Sequence, residues 1–186
     1  MGKFSDTIPN EMFDFPGYYD KIAEAMPNDC RIAEVGNADG ASAIYLGEKL
    51  QELGKSFTLH MIDDCSYGGY EQRNTLIRNI VGSGLGGKLM FMELDSLNAS
   101  LKFPDGYFHF IFLDSGHTLD LTRSEIRLWV HKLLDDWYLA GHDYKTHAGV
   151  KSAVDEIIPA NRIVSIDTDK GYGIWQYKKD WQITLK

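Results

Sequence analysis

The chain has 186 residues, of which 44% are hydrophobic and 25% charged, with a net charge of -8. That length suits one domain with a sizeable core, and the composition is that of a globular protein. An acidic chain without a Lys/Arg run lacks the footprint of a nucleic-acid binder, and no run of about 18 apolar residues is present to span a membrane.

Met1 to Pro16 mixes Pro9 and Pro16 with Phe4, Phe13 and Phe15, which reads as an irregular arm. An amphipathic helix follows over Tyr18–Met26. Arm and helix occupy residues 1–28 of a domain expected over 1–186, with its core over 29–180. The arm either packs against the domain edge or lids a site. Arg31–Val35 is the first strand. It runs into Gly36-Asn37-Ala38-Asp39-Gly40 and then a helix over Ala41–Leu53. Glycine at such a turn accepts φ > 0 and lets backbone approach a ligand. The helix aims its free N–H groups at whatever lies over the turn.

Ser56–Ile62 is the second strand, closing at Asp63-Asp64. A Gly68-Gly69 turn opens a helix over Glu71–Val81 with Leu76, Ile77 and Ile80 facing inward, and glycines at 82, 84, 86 and 87 break it. Lys88–Leu94 is the third strand, ending at Asp95-Ser96. After a Pro104-Asp105-Gly106 turn, Tyr107–Leu113 is the most apolar run and ends at Asp114-Ser115-Gly116-His117. Helix is expected over Leu119–Leu134, and strand over Trp137–Ala140, ending at Gly141-His142-Asp143-Tyr144. A last helix opens at Gly149 and ends near Pro159. Strands Arg162–Asp167 and Tyr172–Lys178 close the chain. Their connection is too short for a crossover, so they are antiparallel. The alternation predicts a three-layer Rossmann-like α/β fold: a doubly wound, mostly parallel seven-stranded sheet with an antiparallel C-terminal hairpin.

Cys30 and Cys65 have no C-x-x-C spacing, so reduced thiols in a cytoplasmic protein are expected. The N-terminus has no charged region followed by an apolar run, so no signal peptide is expected. Ligands of open α/β sheets collect beyond the carboxyl ends of the strands. Here all five such ends carry acid: Glu34, Asp63 with Asp64, Asp95, Asp114 and Asp143. Helix N-caps explain some of these, but a purely structural sheet has no need of all five. A dinucleotide fingerprint would require glycines at 36, 38 and 41, and the last two are alanines. A NAD(P)-dependent oxidoreductase is therefore the weaker reading.

Glu34-Val35-Gly36 with Gly40-Ala41-Ser42, the acid after the second strand, Asp95-Ser96, Asp114 with His117, and Gly141-His142-Asp143-Tyr144 occur in that order. Over roughly Cys30–Lys178 this set resembles the class I S-adenosylmethionine-dependent methyltransferases. The resemblance implies S-adenosylmethionine as cofactor. Glu34, Gly36 and Gly40, with Ser42 in the same motif, would then line its methionine and ribose part. Asp63 would accept from the ribose hydroxyls, a task suited to an acceptor-only group. Asp95 and Ser96 would sit beside the adenine amine and Asp114 near the sulfonium. Two departures stand out: Ala38 where the family has a middle glycine, and Asp135-Asp136-Trp137 where relatives often carry Pro-Gly-Gly. They keep a non-catalytic binding module as the alternative.

Asp114, His142 and Asp143 are expected to converge. In methyltransferases resembling the catechol and sugar O-methyltransferases, such positions hold Mg2+, which draws a substrate hydroxyl towards its alkoxide. Mg2+ prefers oxygen ligands, whereas His142 suits a transition metal. Without a metal, His117 or His142 is the natural general base, with Asp143 beside them. The alternative is that both histidines simply bond backbone. The reaction expected is O-methylation of a small-molecule acceptor. Its pocket would come from the arm, the Cys65–Tyr70 loop and Thr146–Gly149. His60 is assigned a structural role and His147 none. The exposed edge of the hairpin is the expected homodimer contact.

Overall fold

Residues Phe110–Leu113 alternate between two apolar faces, the mark of a strand covered on both sides. A computed structural model, which describes residues 2–9 and 12–180, shows where those faces lead. Expectations for residues 1, 10, 11 and 181–186 fall outside the described residues. Phe110 and Phe112 join Ile32, Leu59 and Met61 in one core. Ile111 and Leu113 join Ala33, Val35 and Ile62 in the other. Each fully buried phenylalanine contributes on the order of 1.5–3 kcal/mol relative to an exposed one.

The strands are β1 (Cys30–Val35), β2 (Phe57–Ile62), β3 (Leu89–Met92), β4 (Phe108–Leu113), β5 (Leu133–Gly141), β6 (Ile163–Ile166) and β7 (Ile174–Lys178). They form one sheet in the order β3-β2-β1-β4-β5-β7-β6. Strands β1 to β5 pair in parallel, and β7 runs antiparallel to both β5 and β6. Helices α1 (Pro16–Ala25), α2 (Ala41–Glu52) and α3 (Gly69–Gly82) cover the first core. Helices α4 (Ser96–Ser100), α5 (Leu119–Lys132) and α6 (Ala148–Ile157) lie on the second. This is the expected doubly wound, three-layer sheet with its reversed hairpin. Among the described residues no helix is long and apolar enough to cross a membrane.

Leu76 of α3 is fully buried as expected and Ile80 packs half-buried against the first core, while Ile77 is half-buried. Helix α5 stops at Lys132, and β5 starts at Leu133 rather than Trp137. A bulge separates the Leu133–Phe108 pairing from Tyr138–Phe110. Four residues of β5 (134–137) stand there opposite the single residue His109; Asp136 among them has a φ of 68°, and its N–H donates to Lys179 O at 2.7 Å. Helix α4, on which the sequence carried no expectation, is a single turn capped by Asp95, too short to show an apolar period. It matters because Trp129, wholly buried on α5, donates through Nε1 to Ser96 Oγ at 3.1 Å and fixes that turn beneath the site.

The N-terminal arm is tied down at two places. Ser5 Oγ donates to Glu48 Oε2 on α2 at 2.6 Å. Farther on, Asp14 O accepts from Asp169 N at 2.9 Å, and Asp14 Oδ2 from Lys170 N at 3.0 Å. Between them Phe15 packs on Phe112 and on the His142 ring, with centroids 5.0 and 4.8 Å apart. The arm is thus packed against the domain, with Phe15 set over the strand ends beside His142.

Candidate active site

The turn after β1 sets the floor. Gly36 has a φ of 87°, and a Cβ there would meet Asp114 O at 2.2 Å, so only glycine lets the ends of β1 and β4 approach this closely. Gly40, with a φ of 86°, caps α2, and a Cβ would meet Leu76 Cδ1 at 2.7 Å. Ala38 stands at a φ of 45°, a left-handed conformation costing roughly 1–2 kcal/mol for a residue with a Cβ. Asp63 holds it there: Oδ2 accepts from Asn37 N at 2.7 Å and Ala38 N at 3.0 Å, and Oδ1 from Cys65 N at 2.7 Å. Its neighbour Asp64 is exposed and accepts from Ser66 N at 2.9 Å.

Glu34 lies beneath this turn. It accepts from Ser42 Oγ at 2.6 Å, Tyr19 Oη at 2.7 Å and Asn37 Nδ2 at 3.2 Å. Burial pushes its carboxyl from 4.5 up to about 7, against the bonds from Ser42 and Tyr19, which favour the anion. The folded chain therefore holds a proton here that the unfolded chain has released. This group's contribution to stability is complete below about 4.5 and is lost as pH rises to about 7. The loss amounts to up to roughly 3 kcal/mol. Urea unfolding of the parent should accordingly weaken relative to Glu34→Gln across that window. A constant difference between the two would contradict this assignment.

Above the turn lies a cleft of about 610 Å³, within the range of small-molecule sites. Gly36, Ser42, Asp63, Asp95, Ser96, Asp114, His117, His142 and Asp143 of the expected set line it, and so does Asp64. Glu34 and Gly40 do not. They shape the turn from below, because Glu34 is spent on three donors and Gly40 faces Leu76. Met12, Phe13 and Phe15 of the arm and Tyr172 of the β6–β7 loop form its wall. Asp95 caps α4, and the bonds it accepts from Asn98 N (3.0 Å) and Nδ2 (2.6 Å) hold its carboxyl below the usual range.

The ends of β4 and β5 carry the densest chemistry. His142 Nδ1 lies 3.6 Å from Asp114 Oδ1 and 3.8 Å from Asp143 Oδ1. Its Nε2 donates to Asp14 Oδ1 at 2.9 Å, and the Asp14 side chain is fully buried. Burial opposes charge on His142, but the bond and charge of Asp114, with Asp143 and Asp14, outweigh it and push the imidazole up to about 9. Burial likewise pushes Asp114 up, against the bond from His142. Asp143 is also mostly buried, yet the bond from His117, the charge of His142 and the Thr146 hydroxyl hold it down at about 2. His117 Nε2 sits 2.7 Å from Asp143 Oδ2, and that bond raises the His117 pKa. His60 stays in an aromatic pocket beside Phe103, Tyr107 and Phe108, away from the cleft.

Two participants had no role in the sequence reading. Asp14 stood in Phe13-Asp14-Phe15, where a lone acid between buried aromatics demands a partner. His147 stands four residues after Asp143, a spacing that places side chains together across one helical turn. Its Nδ1 is 3.2 Å from Asp143 Oδ1.

A sheet of this order with a reversed last hairpin, floored by a glycine turn and lined by acids at its strand ends, defines a class I S-adenosylmethionine-dependent methyltransferase. A family model described as a methyltransferase domain matches residues 33–144, and the chain belongs to that family. No curated protein matches it. Among solved structures, a SAM-dependent O-methyltransferase of Thermotoga maritima is 14% identical, with 98% of this chain and 73% of that one covered at a TM-score of 0.71. An O-methyltransferase of Bacillus cereus, solved in complex with SAH, is 16% identical over 94% of this chain and 86% of that one, with a TM-score of 0.67. A precorrin 8w decarboxylase of Methanobacterium thermoautotrophicum also shares the fold, at 15% identity, 92% coverage of both chains and a TM-score of 0.62. These likenesses establish the fold, so the acceptor chemistry has to be argued from the site.

Proposed function

We propose that the chain methylates a hydroxyl group of a small acceptor, with a divalent cation held by Asp114, His142 and Asp143. The observation that carries this reading is the state of His142. Its Nε2 is anchored by the buried carboxylate of Asp14, while Nδ1 faces two further carboxylates. A carboxylate bonded to one imidazole nitrogen in this way fixes the ring's orientation and leaves the other nitrogen facing the cluster, as in metal-binding histidines. The ligand atoms of all three residues lie within 4.8 Å of one another. Two carboxylates with one imidazole fit Mn2+ or another first-row ion as well as Mg2+.

A cation there supplies Lewis acidity to a bound hydroxyl. The chain's own groups do the rest. The Gly36 turn receives the amino-acid end of S-adenosylmethionine, Asp64 or the remaining lone pairs of Asp63 take the ribose hydroxyls, and Asp95 and Ser96 flank the adenine. Asp114 stands between the two halves of the cleft. His117, steered by Asp143 and half-exposed, accepts the acceptor's proton. Phe15 and Tyr172 exclude water beside His142. Catalysis is then largely alignment of oxygen, methyl carbon and sulfur.

The His117–Asp143 contact also favours a second reading, in which His117 is the base and no cation is needed. The two are separated by transfer of labelled methyl groups to a panel of hydroxylated acceptors by chelator-treated protein, with and without Mn2+ or Mg2+. Dependence on the added ion supports the first reading, and full activity without it supports the second. Asp14→Asn should raise the ion concentration needed for half-activation by about 10–100-fold, measured by titration at saturating acceptor. An unchanged requirement would remove Asp14 from the site.

A further inference from the structure

On the outer side of Asp143 lies a second set of donors. The His117 and His147 rings stack with centroids 4.3 Å apart at 33°. His117 Nε2 lies 2.7 Å from Asp143 Oδ2, and His147 Nδ1 lies 3.2 Å from Asp143 Oδ1. The ligand atoms of the three residues fall within 4.8 Å of one another. The two imidazole side chains are 44% and 45% exposed, while the carboxylate between them is 9% exposed. Solvent ions therefore reach the histidines directly, and the acid is already held in place.

The arrangement is built by the fold. His117 follows β4, Asp143 ends β5 at a φ of 62°, and His147 caps α6. They meet because Gly149 lets the first turn of α6 press onto the loop after β4. A Cβ at that position would meet His117 O at 2.4 Å and Leu119 N at 2.8 Å. Thr146 Oγ1 fixes the other side, 3.0 Å from Asp143 Oδ1 and 3.2 Å from His147 Nδ1.

We infer that His117, Asp143 and His147 form a second cation site, specific for a transition ion of the Zn2+ type, that shares Asp143 with the inner cluster. Two imidazoles and one carboxylate are a zinc-like donor set with a position left open to solvent. Mg2+, which demands oxygen ligands, is excluded. The geometry of the site stands apart from the methyl-transfer reading. One consequence rests on that reading: an ion here takes His117 Nε2 and Asp143 out of the pairing that steers His117 as base, so Zn2+ inhibits.

The test is a Zn2+ titration of the full chain without a histidine tag, followed by imidazole 15N shifts, with each histidine assigned by single substitution. The expected result is that His117 Nε2 and His147 Nδ1 move together with one equivalent of Zn2+. His147→Ala should weaken that binding about tenfold or more. Gly149→Ala, which forces the loop carrying His117 away from α6 while every ligand residue is retained, should do the same. The resonance of His142 reports the inner cluster in the same spectra, so failure of that site is seen separately. If His117 and His147 stay unmoved, or if His147→Ala binds Zn2+ like the parent, the second site does not exist.

Discussion

Asp143→Asn is expected to lower kcat by about 10²–10⁴-fold while the protein stays folded. Asparagine has the same shape, and it tolerates the left-handed backbone at 143 as well as aspartate does. What it lacks is the charge that three imidazoles share. Asp143 carries the 2.7 Å contact that raises the His117 pKa, and it is one of the two carboxylates facing His142 Nδ1. The loss should therefore appear in kcat and in the requirement for added cation. SAH affinity should remain near that of the parent, because Asp143 lies at the acceptor end of the cleft. A variant turning over within about threefold of the parent, equivalent to under 1 kcal/mol of barrier, would show that neither base nor cation depends on this residue.

Gly36→Ala should be the most damaging change to the cofactor floor. The new methyl group would stand 2.2 Å from Asp114 O and 2.5 Å from its carbonyl carbon. Both are backbone atoms of the neighbouring strand and have no rotamer by which to yield. The φ of 87° adds strain for any residue with a Cβ. Together these should cost roughly 2–5 kcal/mol in urea unfolding and push β1 and β4 apart at the point where the proposed function puts the methionine end of the cofactor. Calorimetric affinity for SAH should drop with it. Gly36→Ala with the parent's unfolding midpoint and SAH affinity would mean that the turn is not the floor of the cofactor site.

The order of elements was legible because each parallel strand is a nearly unbroken apolar run that ends in an acid and a turn. Val35-Gly36, Ile62-Asp63 and Leu113-Asp114 announce their own ends. The convergence of Asp114, His142 and Asp143 followed from the same rule, since β4 and β5 are neighbours and their last residues must meet. Helix α4 was not legible, because five residues make one turn and carry no period. The first half of β5 was hidden by Asp135-Asp136, which stand where relatives often carry a turn and lie within the irregular stretch of the strand. Asp14 was harder still. Its role depends on a contact 128 residues away in the chain, and nothing local announces it beyond an acid stranded among phenylalanines. Glu34 raises a related point: a strand-end acid in a glycine motif looks like a ligand, yet here it accepts from Ser42, Tyr19 and Asn37 within the fold, and those contacts are not local in the sequence.

The most direct test is a crystal of the full chain grown with SAH and Mn2+ and measured at the manganese absorption edge. The account predicts SAH over the Gly36 turn, its ribose beside Asp63 and Asp64, and a single strong anomalous peak bounded by Asp114, His142 and Asp143. Well-ordered SAH elsewhere, or a saturated crystal with no manganese at that cluster, would contradict it.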